Sequence, residues 1–336
     1  MKSWHPSLFA HWYAVARSDR LRRKPLAVTV LDQPIVLVRL ETGALMALED
    51  RCPHRHAPLS SGCAKAGGIA CPYHGWTFDA HGALTAIPGM PPGAPLPQVR
   101  VRAFPVREHD GLVWLRPSAT GNADPSLLVR DSQPRHRRFL WQTRWQAQVV
   151  DAMENFLDPM HTHAIHPGLV RRGGSRQRTL ASYRPTDEGF QVDYSGQQQS
   201  GLLYRLFESR RTLERAHFAA PGSARIEYRY ASGGIVCITL HFTPRSSAET
   251  EVFASLHVEG RWAPAWAVRL LVWPLLHRVS EQDRRILQLQ SENMRRFPAQ
   301  RGASTLLDIV RPSLERFWTG EGQVLPDQDR EVEIML

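Results

Sequence analysis

The chain has 336 residues, 42% of them hydrophobic, which is enough for two ordinary domains and too apolar for global disorder. Its 42 Lys and Arg against 32 Asp and Glu give a formal charge of +10, scattered along the whole chain. Without zinc-finger spacing, an RNA-recognition signature or a dense basic run among aromatics, nucleic-acid binding is not expected; the charge reads as solvated surface or as a docking face for an acidic partner or an anionic substrate. The longest apolar stretch of helical character, 264–276, runs for about 13 residues and contains Arg269, so no membrane span is expected. The opening residues MKSWHPSLFAHWYAVARSD lack a continuous apolar core and a small-residue cleavage site, which makes the cytoplasm the default expectation.

The first third reads as β. Short apolar, β-branched runs at 26–31, 34–40 and 44–49 are punctuated by Asp32-Gln33-Pro34 and Thr42-Gly43, and 99–105 and 111–115 continue the pattern. The loop-like segment 117–126 gives the best boundary, dividing the chain into 1–118 and 119–336. Beyond it, 146–163 reads as a helix with polar residues where a core is expected. Strand candidates follow at 190–195, 225–231, 234–242 and 250–258, then helices at roughly 264–296 and 303–318. The pattern predicts an all-β domain followed by an α+β domain with an antiparallel sheet and helices.

Two clusters carry chemistry. Cys52-Pro53-His54 is followed after 16 residues by Cys71-Pro72-Tyr73-His74, which offers two Cys and two His to metal. Zinc fingers draw one kind of ligand from each loop, whereas here each loop offers one Cys and one His. If both Cys bind one iron and both His another, the result is a Rieske [2Fe–2S] centre. Pro53, Pro58, Gly62 and Gly75 suit tight hairpin tips. His56 and His81 fall outside the paired spacing and read as loop or surface residues.

The second cluster is DAMENFLDPMHTHAIHPG, 151–168, a carboxylate-rich helix running into His161, His163 and His166. Carboxylate with imidazole suits a hard, oxygen-activating metal such as Fe(II). Spacing alone leaves the pairs 161/166 and 163/166 open, because an i,i+5 pair shares a face only at a wider turn or a helix end.

C-P-H-R…C-P-Y-H-G-W-x-F-D-x-x-G closely resembles the cluster-binding domain of Rieske non-haem iron ring-hydroxylating oxygenases, and the flanking WYAVARSDRLRRKPL and FPVREHDGLVWLRP look like the same family. Respiratory Rieske proteins brace their loops with an extra disulfide; here Tyr73 stands where the second loop would need its Cys, so Cys63 reads as an unpaired loop residue. Asn155-x-x-Asp158-x-x-His161-x4-His166 is similar to the family motif in which both His bind iron. The resemblance implies cluster ligands Cys52, His54, Cys71 and His74, and iron ligands His161 and His166. It also implies that Asn155 lies near the iron, and that Asp158 bridges by hydrogen bonds to His74 of another subunit in a homotrimer. The third ligand is expected on a C-terminal helix resembled by SEQDRRILQLQ, 280–290: Asp283, with Glu281 as the alternative.

The same resemblance, nearest to the vanillate O-demethylase and dicamba monooxygenase group, implies a terminal oxygenase. It would take electrons from an NAD(P)H-dependent ferredoxin or flavin reductase and use O2 to hydroxylate or O-demethylate a small aromatic molecule. Alternatives are N-demethylation, oxidation of a steroid or other alicyclic or amine substrate, or plain Rieske electron transfer. Strand 234–242 and a helix and loops around 200–218 are expected to line the pocket. Arg205, Arg210, Arg211 and Arg215 read as solvated helix surface or as a carboxylate-holding set.

Overall fold

The structure is a computed structural model and describes residues 4–121, 124–125, 137–170, 176–196, 211–259, 264–298, 302–320, 322, 324 and 327–336. The chain divides into two compact units, Phe9–Pro125, and Ser126–Leu336 with Met1–Leu8.

The Phe9–Pro125 unit is built from ten short strands: β1 (Tyr13–Arg17), β2 (Leu26–Val30), β3 (Gln33–Arg39), β4 (Leu45–Glu49), β5 (Cys63–Lys65), β6 (Gly68–Ala70), β7 (Thr77–Asp79), β8 (Leu84–Ala86), β9 (Val106–His109) and β10 (Leu112–Leu115). They form three antiparallel sheets, ordered β1-β10-β9, β2-β3-β4 and β5-β6-β7-β8. The β2–β3 hairpin closes on Leu31 and Asp32, both at positive φ (51° and 61°), the geometry that matches the twist of the flanking strands. Val36, Val38, Met46, Leu48, Leu59, Ile69 and Phe78 form a core that also takes in Cys52 and Cys71. The expected strand at 99–105 is absent: only bridges at Arg100 and Ala103 form. Its backbone bonds go to different partners, Val101 to Gly82 on one side and Arg102 and Phe104 to Glu49 and Ala47 on the other, so no continuous ladder develops.

The other unit is dominated by an eight-stranded antiparallel sheet. Its strands are β11 (Arg137–Trp145), β12 (Arg178–Thr186), β13 (Gly189–Ser195), β14 (Arg211–Ala219), β15 (Ser223–Tyr230), β16 (Ile235–Ser246), β17 (Glu249–Glu259) and β18 (Arg330–Met335). The order is β11-β17-β16-β15-β14-β13-β12-β18. Among the described residues, the helices that accompany it include α1 (Val149–Leu157), α2 (Thr162–Ile165), α3 (Trp273–Arg296) and α4 (Arg311–Thr319). The apolar face of α1 packs on β14 to β17, with Phe156 against Phe242, and α4 packs on α1. A π-helical turn, Val268–Val272, leads into α3. Among the described residues no helix is long and apolar enough to cross a membrane.

Two further expectations need correction. Residues 211–219 form a strand, not a helix, because Glu214, Ala216 and Phe218 alternate inward along a ladder held by β13 and β15. On that strand Arg211 is bound to Glu214 at 2.6 Å and lies over the Tyr228 ring, while Arg215 clasps both oxygens of Asp193 at 2.6 and 2.8 Å. Both are committed to carboxylates of their own sheet; Arg205 and Arg210 lie outside the described residues. Of the helix expected at 303–318, only Arg311 onward is helical, since Thr305 and Asp308 hold the preceding residues in a turn.

Candidate metal centres

The first centre rests on two loops with the same backbone design. In one, the Cys52 N–H donates to the Ala57 carbonyl at 2.9 Å and the His56 N–H donates to the Cys52 carbonyl at 2.9 Å. In the other, the Cys71 N–H donates to Trp76 at 2.8 Å and the Gly75 N–H donates to Cys71 at 3.1 Å. His56 and Gly75 are thus equivalent positions, and both adopt positive φ, 59° and 71°. This gives His56 a backbone role; its ring turns outward to Arg51 at 3.3 Å. A Cβ on Gly75 would lie 2.7 Å from Pro88, which together with the φ explains the glycine.

Only the second loop is a hairpin tip, between β6 and β7. The first joins β4 to β5, strands of different sheets, which sequence spacing had read as a second hairpin. Cys63 stands exposed on β5 rather than in a loop. Cys52 and Cys71 are buried at 1% and 5% exposure and neither forms a disulfide. Burial, together with the neighbouring Cys71 thiol, pushes the Cys52 thiol above its ordinary pKa. His54 and His74 sit side by side nearer the surface, ring centroids 4.7 Å apart, with Trp76 stacked flat on His54 at 4.6 Å. Two thiols together inside and two imidazoles together outside is the donor division a Rieske cluster requires.

The second centre gathers around the end of α1. Helix α1 stops at Asp158, whose carboxylate caps the following 3-10 turn (Pro159–His161) by accepting the Met160 N–H at 2.9 Å. His161 ends that turn and His166 lies just past the end of α2, so the i,i+5 pair is brought together by a helix end. On α3, Asp283, Leu287 and Ser291 form the buried stripe, which turns Asp283 inward. Nε2 of His161 lies 3.5 Å and Nε2 of His166 2.9 Å from Oδ1 of Asp283, and the three donor atoms fall within 4.8 Å of one another. Glu281 instead forms a surface ion pair with Arg284 at 2.7 Å.

The donors fit a divalent metal. Nδ1 of His161 donates to the Asp158 carbonyl at 2.7 Å, and Nδ1 of His166 is 2.9 Å from Oε1 of Gln282. With both Nδ1 atoms bonded outward, both Nε2 lone pairs face Asp283. Nε2 of His166 is not aligned for a hydrogen bond to that carboxylate; it and Oδ1 of Asn155 are buried with no hydrogen-bond partner, as expected for a cavity built around a bound group. Nδ2 of Asn155 donates to Asp283 at 3.4 Å. Burial lowers the His161 pKa, which keeps the ring neutral and able to ligate. Burial acts the same way on His166, but the Asp283 carboxylate outweighs it and raises that group. Burial, reinforced by the charges of Glu154 and Asp308 and opposed by the Met160 N–H, pushes Asp158 up to about 7.

Sequence reasoning did not find Arg311. Its guanidinium contacts Asp151 at 3.1 Å and also Glu154, joining α4 to the helix that leads into the second centre. Nothing local marks it, since its partners are 160 and 157 residues away.

The Rieske [2Fe-2S] domain family matches residues 11–105, and the vanillate O-demethylase oxygenase C-terminal domain family matches 145–310. The chain is 44% identical over 158 residues to the oxygenase component of dicamba O-demethylase from Stenotrophomonas maltophilia, covering 46% of each chain. It is 34% identical over 178 residues to methylxanthine N1-demethylase NdmA from Pseudomonas putida, covering 50% of this chain and 47% of that one. The matched stretches thus span about half the length of these curated relatives. The crystal structure of dicamba monooxygenase bound to dicamba shares the fold, with a TM-score of 0.78 at 24% identity over 92% of this chain and 96% of that one. With a Rieske domain, an oxygenase C-terminal domain and a His/His/Asp group in the second unit, the chain belongs to the Rieske non-haem iron oxygenases of the vanillate O-demethylase type.

Proposed function

We propose that the chain is a terminal oxygenase component that takes electrons from a ferredoxin or flavin reductase fed by NAD(P)H and uses O2 to hydroxylate or O-demethylate a small aromatic molecule. The observation that carries this reading is the presence in one chain of both donor sets, the paired Cys–His loops and the group of His161, His166 and Asp283. A pure electron carrier has no use for the second set. In this reading Cys52, Cys71, His54 and His74 hold the [2Fe–2S] cluster, and His161, His166 and Asp283 hold the iron. The cluster supplies single electrons, and the iron, with coordination positions left open by a two-His-one-carboxylate set, supplies O2 activation. An aromatic substrate is supported by the relatives named for dicamba and methylxanthine demethylation.

Asp158, pushed up to about 7, holds and releases a proton near neutrality. Its backbone carbonyl holds Nδ1 of His161 at 2.7 Å, which ties Asp158 to the proposed iron ligands. The reading includes a homotrimer in which Asp158 bridges to His74 of the partner subunit.

The test is an anaerobic count of iron and acid-labile sulfide with visible and EPR spectra. About three irons and two sulfides per chain with a Rieske-type reduced signal are expected. One zinc and no colour would overturn the reading. Asp158→Asn should leave the cluster reducible while product formation collapses; turnover within a few-fold of wild type would remove the bridge.

A further inference from the structure

The two histidines of the second centre are oriented by unlike acceptors. His161 is held by a backbone carbonyl, that of Asp158, which no substitution removes. His166, only 1% exposed, is held by a side chain, Oε1 of Gln282 at 2.9 Å. Gln282 directly precedes Asp283 on α3, and successive helical positions point about 100° apart. One turn of α3 therefore presents a carboxylate to Nε2 of His166 and an amide oxygen to its Nδ1, embracing the ring from both nitrogens.

We infer that Gln282 is the positioning residue that fixes His166 for the metal; this rests on the proposed ligand role of His166. An acceptor at Nδ1 keeps the proton there and leaves the Nε2 lone pair free. Without the amide, the ring is free to turn and to place its proton on Nε2, the nitrogen that lies 2.9 Å from the Asp283 oxygen. That tautomer cannot ligate. The amide also fixes the rotation of the ring, so Nε2 stays aimed at the same point as Nε2 of His161.

The experiment titrates the chain, carrying its Rieske cluster, with Co(II) and with Fe(II). Binding is read by equilibrium dialysis and by the Co(II) d–d spectrum, and the cluster's visible band serves as an internal check on folding. Gln282→Leu should weaken metal binding about 10–100-fold, the usual effect of losing the hydrogen-bond partner of a ligating histidine. Gln282→Glu, which keeps an acceptor at the same reach, should restore affinity to wild type or better. Gln282→Asn, with the acceptor drawn back by one methylene, should bind as weakly as the Leu variant. Wild-type affinity and an unchanged d–d spectrum in the Leu or Asn variant would overturn the inference. So would failure of the Glu variant to recover binding. His166→Ala separates the two layers of the argument. If it keeps the metal, the ligand assignment itself is wrong; if it loses the metal while Gln282→Leu does not, only the positioning role fails.

Discussion

Replacing Arg311 with Met removes the cation between α4 and α1. Arg311 contacts Asp151 at 3.1 Å, Glu154, and Glu315 at 2.8 Å, and these carboxylates differ sharply in exposure: 5%, 20% and 48%. Glu315 reaches solvent and contributes under about 1 kcal/mol. Asp151, buried, and Glu154, half-buried, are left without a counter-charge, which costs about 3–5 kcal/mol, and the lower end applies because Glu154 and Arg311 are themselves partly exposed. Burial already raises the pKa of Asp151 and of Glu154 even with Arg311 lowering both; without it both rise further. The folded variant then takes up protons at a higher pH than the unfolded chain. Its deficit is largest at pH 8 and shrinks as the pH falls toward the ordinary carboxylate range. Urea unfolding followed by far-UV circular dichroism measures this, each variant compared with wild type at the same pH, while the cluster's visible band reports on the other unit separately. Arg311→Met with Asp151→Asn and Glu154→Gln should return to within about 1 kcal/mol of wild type, since the buried charges are gone. A loss below about 1 kcal/mol, or one equal at pH 8 and pH 5.5, would refute the account.

Asp283→Ala should lose the mononuclear iron and keep the cluster, whereas Glu281→Gln should keep both, because Glu281 is spent on Arg284; metal analysis of the two variants decides. His241 is buried, and burial, with the charges of Arg225 and His257, pushes it down to about 3. From about pH 6.5 downward the unfolded chain therefore binds a proton that the folded chain refuses, and stability falls by up to about 1.4 kcal/mol per pH unit. His241→Gln should flatten that slope between pH 7.5 and 5.5; urea midpoints that fall as steeply as in wild type would count against it.

Where candidate donors lie in short spacings, the sequence by itself marks them. C-P-H and C-P-Y-H marked Cys52, His54, Cys71 and His74 as candidate donors because both residues of each loop lie within a few positions, and the structure sets them on matched loops over one core. Around the end of α1, spacing narrowed the histidines only to the pairs 161/166 and 163/166, and the resemblance chose His161 and His166 and singled out Asn155 and Asp158. Asp283 was reached by resemblance; its inward stripe with Leu287 and Ser291 is a local signal that agrees with it. Tertiary structure alone decided the rest. Residues 99–105 have strand composition but divide their hydrogen bonds between two partners, and 211–219 became a strand because two neighbours offered it ladders. The partners of Asp151, Glu154 and His166 lie more than a hundred residues away, at Arg311 and Gln282, and no local pattern encodes a pairing at that distance. A ligand set can be spelled in a loop, but the groups that neutralise and orient it are supplied by whatever the fold packs beside it.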